Sequence, residues 1–377
     1  MTRRERLIAT LEGKPVDRPA VCFYELNGLD EKPEDDSPFN IYSHPSWRPL
    51  LDLTRETTDR IVMRRACLKG MSPDPLEPFA DERSFTKDGS RFTVRTIKAG
   101  GRTLRERTRR DPDINTIWVE EHLLKDLDDL KAFLELPLEP VAGSARTKSV
   151  LDAEEALGDS GIVMLDTPDP LCLAAELFDM SDYLVVAMSE PTLFRRLLDR
   201  LAPFLYSIVG IVSEALPGRL WRIYGPEYAT PPYLPPRLFR EYVAAYDQAI
   251  IDAIHRHGGY ARIHSHGKIK EVLEPLHDMT IDGLDPVEPP PQGDVELRFV
   301  RETYGREWVL FGNLEISDIE NLPADRFAEK IKRAMAEGTA GNGRGFVLMP
   351  SSCPYGRIIS PLAVTNYEKM IEIAAAG

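Results

Sequence analysis

The chain has 377 residues, of which 42% are hydrophobic and 29% are charged, so its composition is that of an ordinary globular protein and excludes wholesale disorder. Lys and Arg number 47 against 61 Asp and Glu, which gives a formal net charge of −14. That sign opposes contact with phosphate groups, and we therefore exclude nucleic-acid binding and attachment to an anionic membrane surface.

The cysteines and the amino-terminal residues predict a cytoplasmic protein. The four cysteines form no Cys-x-x-Cys pair, and the chain is too long to need disulfide staples. No apolar run approaches the roughly 18 residues that cross a bilayer. Residues 1–15 instead predict a short helix, because Thr2 and Glu5 have capping-box spacing and Gly13 and Pro15 follow the apolar positions.

The next part of the chain predicts two strands and an antiparallel insertion. Residues 21–26 are rich in strand formers, and residues 59–63 are a weaker candidate. Between residues 85 and 118, alternating runs are interrupted by Asp88-Gly89 and by Gly100-Gly101. This is the pattern of a β-hairpin, and we predict a hairpin insertion at about residues 80–120.

From residue 126 onward, helix-like stretches alternate with six short apolar runs that turn residues close. The runs span residues 161–165, 220–224, 260–264, 281–284, 308–311 and 345–349. The clearest helix lies between Pro235 and His257, where apolar residues follow a 3.6-residue period and Gly258-Gly259 ends the pattern.

Strands that alternate with helices predict a parallel sheet. Six late strands and two early strands make eight, which favours an α/β fold with a single (β/α)8 TIM barrel over residues 1–377. A doubly wound open sheet is the alternative. No Gly-x-Gly-x-x-Gly or P-loop pattern follows its first strand, so nucleotide binding gains no support.

Functional side chains of a (β/α)8 barrel come from the loops that follow the strands. His264 and His266 follow the fifth predicted strand, and residues two apart in extended backbone point to the same face. Glu227 follows the fourth strand and Cys353 the eighth. The sequence therefore predicts a site with nitrogen, oxygen and sulfur donors, a set that suits Zn²⁺.

Each predicted ligand also has an ordinary structural interpretation. A His-x-His pair arises by chance in a chain with seven histidines, Glu227 is able to accept hydrogen bonds from its own loop, and Cys353 is able to act as a small apolar residue. Five further residues are candidates for substrate contact: Asp166, Tyr228, Asp285, Asn313 and Tyr355. The Asp and Asn residues among them also suit helix caps and turns.

Several motifs resemble the uroporphyrinogen decarboxylase-like superfamily, which includes the decarboxylase and the zinc-dependent corrinoid methyltransferases. The motifs are residues 3–19, Gly225-Pro-Glu227, Ile263-His-Ser-His-Gly267, Gly312-Asn-Leu-Glu315 and Asn366-Tyr367. The resemblance covers almost the whole chain and implies a single (β/α)8 barrel.

The methyltransferase branch of that superfamily is the more similar. It holds zinc with a Glu after strand four, a His-x-Cys after strand five and a Cys after strand eight, and here Glu227, His264 and Cys353 fall on those places. His266 stands where the branch has Cys, which should make the zinc a stronger Lewis acid. The resemblance implies methyl transfer between a small molecule, of O-methyl or thiol type, and a partner protein that carries a corrinoid such as methylcobalamin.

Decarboxylation is the alternative activity within the superfamily. The decarboxylase binds its polycarboxylate substrate through an arginine-containing stretch after the first strand, whereas this chain has the acidic Glu25-Leu-Asn-Gly-Leu-Asp30 there. A non-catalytic binding barrel and a metal-dependent hydrolase are the other classes. The hydrolase pattern puts its His-x-His after the first strand, and here the pair follows the fifth.

Overall fold

The structure is a computed structural model that describes residues 1–376. Its strands are β1 (Ala20–Val21), β2 (Arg60–Arg65), β3 (Ala80–Lys87), β4 (Ser90–Ala99), β5 (Arg102–Arg110), β6 (Ile117–Glu121), β7 (Gly161–Pro168), β8 (Leu220–Tyr224), β9 (Tyr260–His264), β10 (Gly283–Asp285), β11 (Val309–Leu314) and β12 (Gly345–Pro350).

The helices are α1 (Arg3–Leu11), α2 (Arg48–Thr57), α3 (Leu127–Phe133), α4 (Lys148–Leu157), α5 (Pro170–Ala175), α6 (Met180–Ser189), α7 (Pro191–Ala215), α8 (Pro236–Phe239), α9 (Ala245–Arg256), α10 (Leu273–Asp278), α11 (Leu297–Tyr304), α12 (Ile316–Asn321), α13 (Ala324–Gly338) and α14 (Pro361–Ala376). A π-helical turn over Arg240–Ala244 joins α8 to α9. Within residues 1–376, no helix has both the length and the apolar character that a membrane crossing requires.

Eight parallel strands form the central sheet, in the order β1-β12-β11-β10-β9-β8-β7-β2. From β2 through β7 to β12, each strand of this sheet lies beside the strand that follows it in the chain. Each crossover therefore returns the chain to the same end of the sheet. The two edge strands meet at Asp59, whose backbone N–H donates to the Val21 carbonyl at 2.7 Å. The predicted α/β fold with a parallel (β/α)8 barrel is confirmed.

Asp59 reinforces the junction between the first and second barrel strands. Its buried carboxylate accepts hydrogen bonds from the Val21 backbone at 2.8 Å, from Arg6 of α1 at 2.5 Å and from Arg18 at 2.8 Å. Helix α1 begins with the predicted capping box between Thr2 and Glu5. The amino-terminal helix is therefore bonded to the barrel at the junction of β1 and β2.

The insertion is a second, antiparallel sheet in the order β3-β4-β5-β6. The prediction of an antiparallel insertion with turns at Asp88-Gly89 and Gly100-Gly101 is correct, but the insertion has four strands rather than the two of a hairpin. The loop before β6 lies against the loop after β12, because the Asn115 N–H donates to the Tyr355 carbonyl at 2.8 Å.

Charged side chains occupy the interior of the barrel, where alternation along each strand turns every second residue inward. In β8, Trp221 and Ile223 pack outward in the main apolar core, and Arg222 between them points inward. In β9, Arg262 is buried among inward residues from other strands, over the ring of Phe311 at 4.3 Å. Side chains thus fill the interior of the barrel, and those near the carboxyl ends of the strands are polar.

Candidate functional site

His264, at the carboxyl end of β9, is held from both sides of its ring. Its Nδ1 lies 2.7 Å from Oδ2 of the fully buried Asp285, at the end of β10. Arg262 donates to the other oxygen of that carboxylate. Although burial alone raises the pKa of Asp285, the neighbouring Arg262 and His264 hold it well below its usual range. The ionised carboxylate only accepts, so His264 donates a proton to it from Nδ1, and Nε2 is the ring nitrogen on the other side.

His266 repeats this arrangement two residues further on. Its Nδ1 lies 2.7 Å from Glu288 Oε1, and the Gly267 N–H donates to the second oxygen of the same carboxylate at 2.6 Å. Burial alone lowers the pKa of His266, but the hydrogen bond to Glu288 raises it overall. The rings of His264 and His266 are 4.6 Å apart and nearly perpendicular. The two imidazoles are therefore neighbours, as the spacing predicts.

Tyr24 and Arg222 extend the network across the mouth of the barrel. The Tyr24 hydroxyl lies 3.4 Å from His264 Nε2 and accepts a hydrogen bond from Arg222 at 2.5 Å. Arg222 also donates to both oxygens of Asp166, at 2.7 and 3.3 Å. Tyr24 has a positive φ of 54°, which non-glycine residues adopt infrequently and which is common near functional sites.

Glu227 lies in the short 3₁₀ turn after β8. Its Oε2 accepts a hydrogen bond from the Gly225 N–H at 3.1 Å, and its other oxygen has no hydrogen-bond partner within residues 1–376. Gly225 has a φ of 124° and lies so close to Asp169 and Cys172 that a Cβ would overlap both side chains. A glycine is therefore required where β8 turns into this loop.

Cys353 follows β12 and is buried next to Glu25. Its sulfur lies 3.5 Å from Glu25 Oε2, and Arg222 Nη1 lies 3.6 Å from the other oxygen of that carboxylate. Burial strongly raises the pKa of the Cys353 thiol, and Glu25 adds to this effect. A contact path thus runs from Cys353 through Glu25, Arg222 and Tyr24 to His264.

The four predicted ligands differ in how well their present positions fit a zinc ion. Each histidine donates its Nδ1 proton to a carboxylate, which is the support that metal-ligating histidines have in proteins. Glu227 and Cys353 make other contacts, and in residues 1–376 no group of three or more His, Cys, Asp or Glu side chains is arranged to hold a metal. The carboxylate support of the two histidines is compatible with zinc ligation, and all four ligands remain a prediction.

The five predicted substrate contacts lie in different surroundings. Asp166 is paired with Arg222, and Asp285 is fully buried behind His264. Asn313 lines a small cavity of about 110 Å³ together with Glu315. Tyr228 is half-buried, with its carbonyl bonded to the Tyr183 hydroxyl at 2.8 Å, whereas Tyr355 is 60% exposed. Their contact with a substrate stays a prediction.

Sequence reasoning missed Tyr24, Glu25 and Arg222 as members of the network. For Arg222 a signal exists in the sequence, since an arginine in the middle of a short apolar strand must find a buried partner. Arg262 in the next strand carries the same signal. For Tyr24 no such signal exists. Its position depends on a turn, but the residues around it are strand formers and predict a continuous strand instead.

A family profile and one solved structure agree with this architecture. The family sequence profile described as uroporphyrinogen decarboxylase (URO-D) matches residues 113–373. A solved structure titled methyltransferase from Methanosarcina mazei is similar, with a TM-score of 0.63 and 18% identity over 99% of both chains. A D-psicose 3-epimerase in the presence of D-fructose matches at a TM-score of 0.30 and 13% identity, over 68% of this chain and 93% of its own.

No curated protein matches the chain. At 18% identity the likeness to the Methanosarcina mazei structure shows the fold alone. The family profile, in contrast, covers well over half of the chain and includes the loops that carry both histidines, Asn313 and Cys353. The chain therefore belongs to the uroporphyrinogen decarboxylase family.

Proposed function

We propose that this protein is a zinc-dependent methyltransferase, which moves a methyl group between a small molecule of O-methyl or thiol type and a corrinoid protein. The observation that carries the proposal is the pair of adjacent imidazoles at the mouth of the barrel, each with its Nδ1 held by a carboxylate. The similar fold of a protein titled methyltransferase supports it.

His264 and His266 would hold the zinc through their Nε2 atoms, and Glu227 and Cys353 are the proposed further ligands. When bound, the ion would favour the thiolate form of a thiol or make an ether oxygen a better leaving group. Asp285 and Glu288 keep the Nδ1 protons in place, so Nε2 is the nitrogen of each ring that would bind the ion. The Tyr24 hydroxyl, close to His264 Nε2, orients that face of the ring in the absence of a ligand.

Decarboxylation is the second candidate, and the description of the family profile favours it. The charges at the mouth oppose it. Glu25 and Asp166 lie beside Arg222 there and neutralise it, so Arg222 is not free to bind a substrate with many carboxylates. The activity test below includes the decarboxylation of uroporphyrinogen as an outcome.

The first experiment measures the zinc content of the purified protein. We expect about one zinc per chain, and we expect that the double variant His264→Ala/His266→Ala loses it while its circular dichroism stays unchanged. His277→Ala is the matched control, because His277 also contacts a carboxylate, with its Nε2 at 2.8 Å from Glu307, but on the outside of the protein. Zinc retained by the double variant would contradict the proposed site.

The second experiment tests the reaction. Free methylcobalamin replaces the corrinoid protein, a thiol serves as the methyl acceptor, and the visible spectrum of the cobalamin reports its demethylation. We expect turnover by the wild type and none by the double variant. Turnover of uroporphyrinogen by both proteins, with no demethylation of methylcobalamin, would instead assign the decarboxylase activity.

A further inference from the structure

Arg65 differs from the other arginines of the barrel strands. Arg60 and Arg64 donate to Asn27 and Asp30, and Arg222 and Arg262 donate to Asp166 and Asp285. The backbone of Arg65 pairs with Asp166 of β7, but its side chain makes no hydrogen bond and no ion pair with any residue from 1 to 376. Its guanidinium is therefore a cation that no carboxylate contacts directly.

The position of Arg65 places this cation at the mouth of the barrel. It is the last residue of β2. Ile61 and Met63 lie four and two residues before it, so all three side chains leave the same face of the strand, and those of Ile61 and Met63 pack with the inward residues of the barrel. It is exposed, and it pairs in register with Asp166 of β7. Arg65 thus belongs to the polar rim that also contains Asp166 and His264.

Two acids near Arg65 make no direct contact with its guanidinium. Asp166 accepts two hydrogen bonds from Arg222 and is neutralised by it. Burial raises the pKa of Glu176, and a hydrogen bond with Cys172 and the positive charge of Arg65 oppose this shift. Glu176 makes no ion pair with Arg65.

A guanidinium has a planar fork of donors that matches a carboxylate in two parallel hydrogen bonds. Three strand intervals separate β2 from β9, and at about 4.8 Å each they place Arg65 roughly 14 Å from His264 along the barrel wall. Because both side chains extend from this wall into the mouth, a small molecule that fills the gap between them would contact Arg65 at one end and lie near the histidines at the other.

We infer that the small-molecule substrate carries a carboxylate, that Arg65 binds this carboxylate, and that the methyl group lies at the opposite end of the molecule near His264 and His266. The inference deepens the proposed function and rests on it for the role of the methyl group. The binding of the carboxylate by Arg65 does not require methyl transfer.

Titration calorimetry with two matched probes tests the inference. 4-Methoxybenzoate has a carboxylate and a methyl ether at opposite ends, and 4-methoxybenzyl alcohol has the same ring without the charge. We expect the wild type to bind the carboxylate at least tenfold more tightly than the alcohol. Arg65→Ala should lose this preference and still bind the alcohol as the wild type does.

Arg64→Ala is the control, because Arg64 is the neighbouring residue of β2, its side chain alternates to the opposite face of the strand, and its guanidinium is already paired with Asp30. It should bind both probes as the wild type does. The inference would be overturned if the wild type and Arg65→Ala bound 4-methoxybenzoate with equal affinity. It would also be overturned if neither protein bound this probe detectably. Failure of the proposed methyl transfer is distinguishable, since it would leave the difference in calorimetric affinity unchanged.

Discussion

At the scale of single residues, the site depends on carboxylates that lie behind the histidines. An imidazole is a useful ligand only when one nitrogen is deprotonated and its ring is fixed. Asp285 and Glu288 meet the second need and select the nitrogen, because each accepts the Nδ1 proton at 2.7 Å and so leaves Nε2 as the atom that would face a metal. The two carboxylates come from the end of β10 and from the loop that follows it, so one element supports both rings.

Replacing Glu288 tests this support directly. Glu288→Gln removes the negative charge behind His266, and we expect it to weaken zinc binding by about 10- to 100-fold. Competition with a chromophoric chelator measures the affinity. Glu307→Gln is the matched control, since Glu307 contacts His277 on the surface, and its affinity for zinc should equal that of the wild type. A Glu288→Gln protein with unaltered affinity would show that this carboxylate does not support a ligand.

Glu315 gives a pH dependence of stability. Burial raises the pKa of Glu315 to about 7, and the nearby Glu288 adds to the shift. The folded state therefore binds a proton that the unfolded state has lost, so stability falls as the pH rises from about 4.5 to 7. Glu315→Gln has no charge to bury and should gain stability relative to the wild type above pH 7, by no more than about 3 kcal/mol.

Urea unfolding at pH 5 and pH 8 measures the effect of Glu315→Gln. The difference from the wild type should be larger at pH 8 than at pH 5. Glu320→Gln is a poor control because burial also raises the pKa of Glu320, whereas Glu329→Gln on the exposed face of α13 is suitable. A difference that is equal at both pH values would show that Glu315 titrates normally.

At the scale of elements, Asp59 connects the first strand, the second strand and α1. Its fully buried carboxylate accepts from Arg6, Arg18 and the Val21 backbone. Removal of one partner from a buried pair costs about 3–5 kcal/mol, and Asp59→Ala should cost about 3 kcal/mol, the lower end of this range, because Arg6 keeps its two hydrogen bonds to Asp17. We expect a loss of that size in urea unfolding.

Asp52→Ala is the control for this element. Asp52 pairs with Arg55 on the exposed side of α2, and an exposed pair of this kind contributes less than about 1 kcal/mol. If Asp59→Ala unfolded at the same urea concentration as Asp52→Ala, Asp59 would not be what joins the ends of the sheet.

Sequence periodicity predicts some elements closely and others poorly, for physical reasons. The bounds of β8 and β9 agree with the predicted runs 220–224 and 260–264, because charged or turn residues flank short apolar strands. The first strand is shorter than predicted, since the chain turns at Tyr24 and forms a local bridge between Phe23 and Leu26. Strand propensity alone does not show where a strand stops pairing with the adjacent strand of the sheet.

At the scale of the whole molecule, the barrel brings together residues that are more than 200 positions apart in the sequence. Tyr24 and His264 are 240 positions apart, and their polar atoms lie 3.4 Å from each other. Strand order and the rule that loops after the strands form the site are enough to predict that Glu227, His264, His266 and Cys353 share one mouth. The individual contacts of Glu227 and Cys353 depend on Gly225 and Glu25, which no spacing pattern reveals.

The most direct test of the account is the position of zinc in crystals of the protein, measured by anomalous diffraction at wavelengths on either side of the zinc absorption edge. The account predicts one strong peak per chain, within coordination distance of Nε2 of both His264 and His266. A peak bound to other residues, or no peak in crystals grown with zinc, would contradict it.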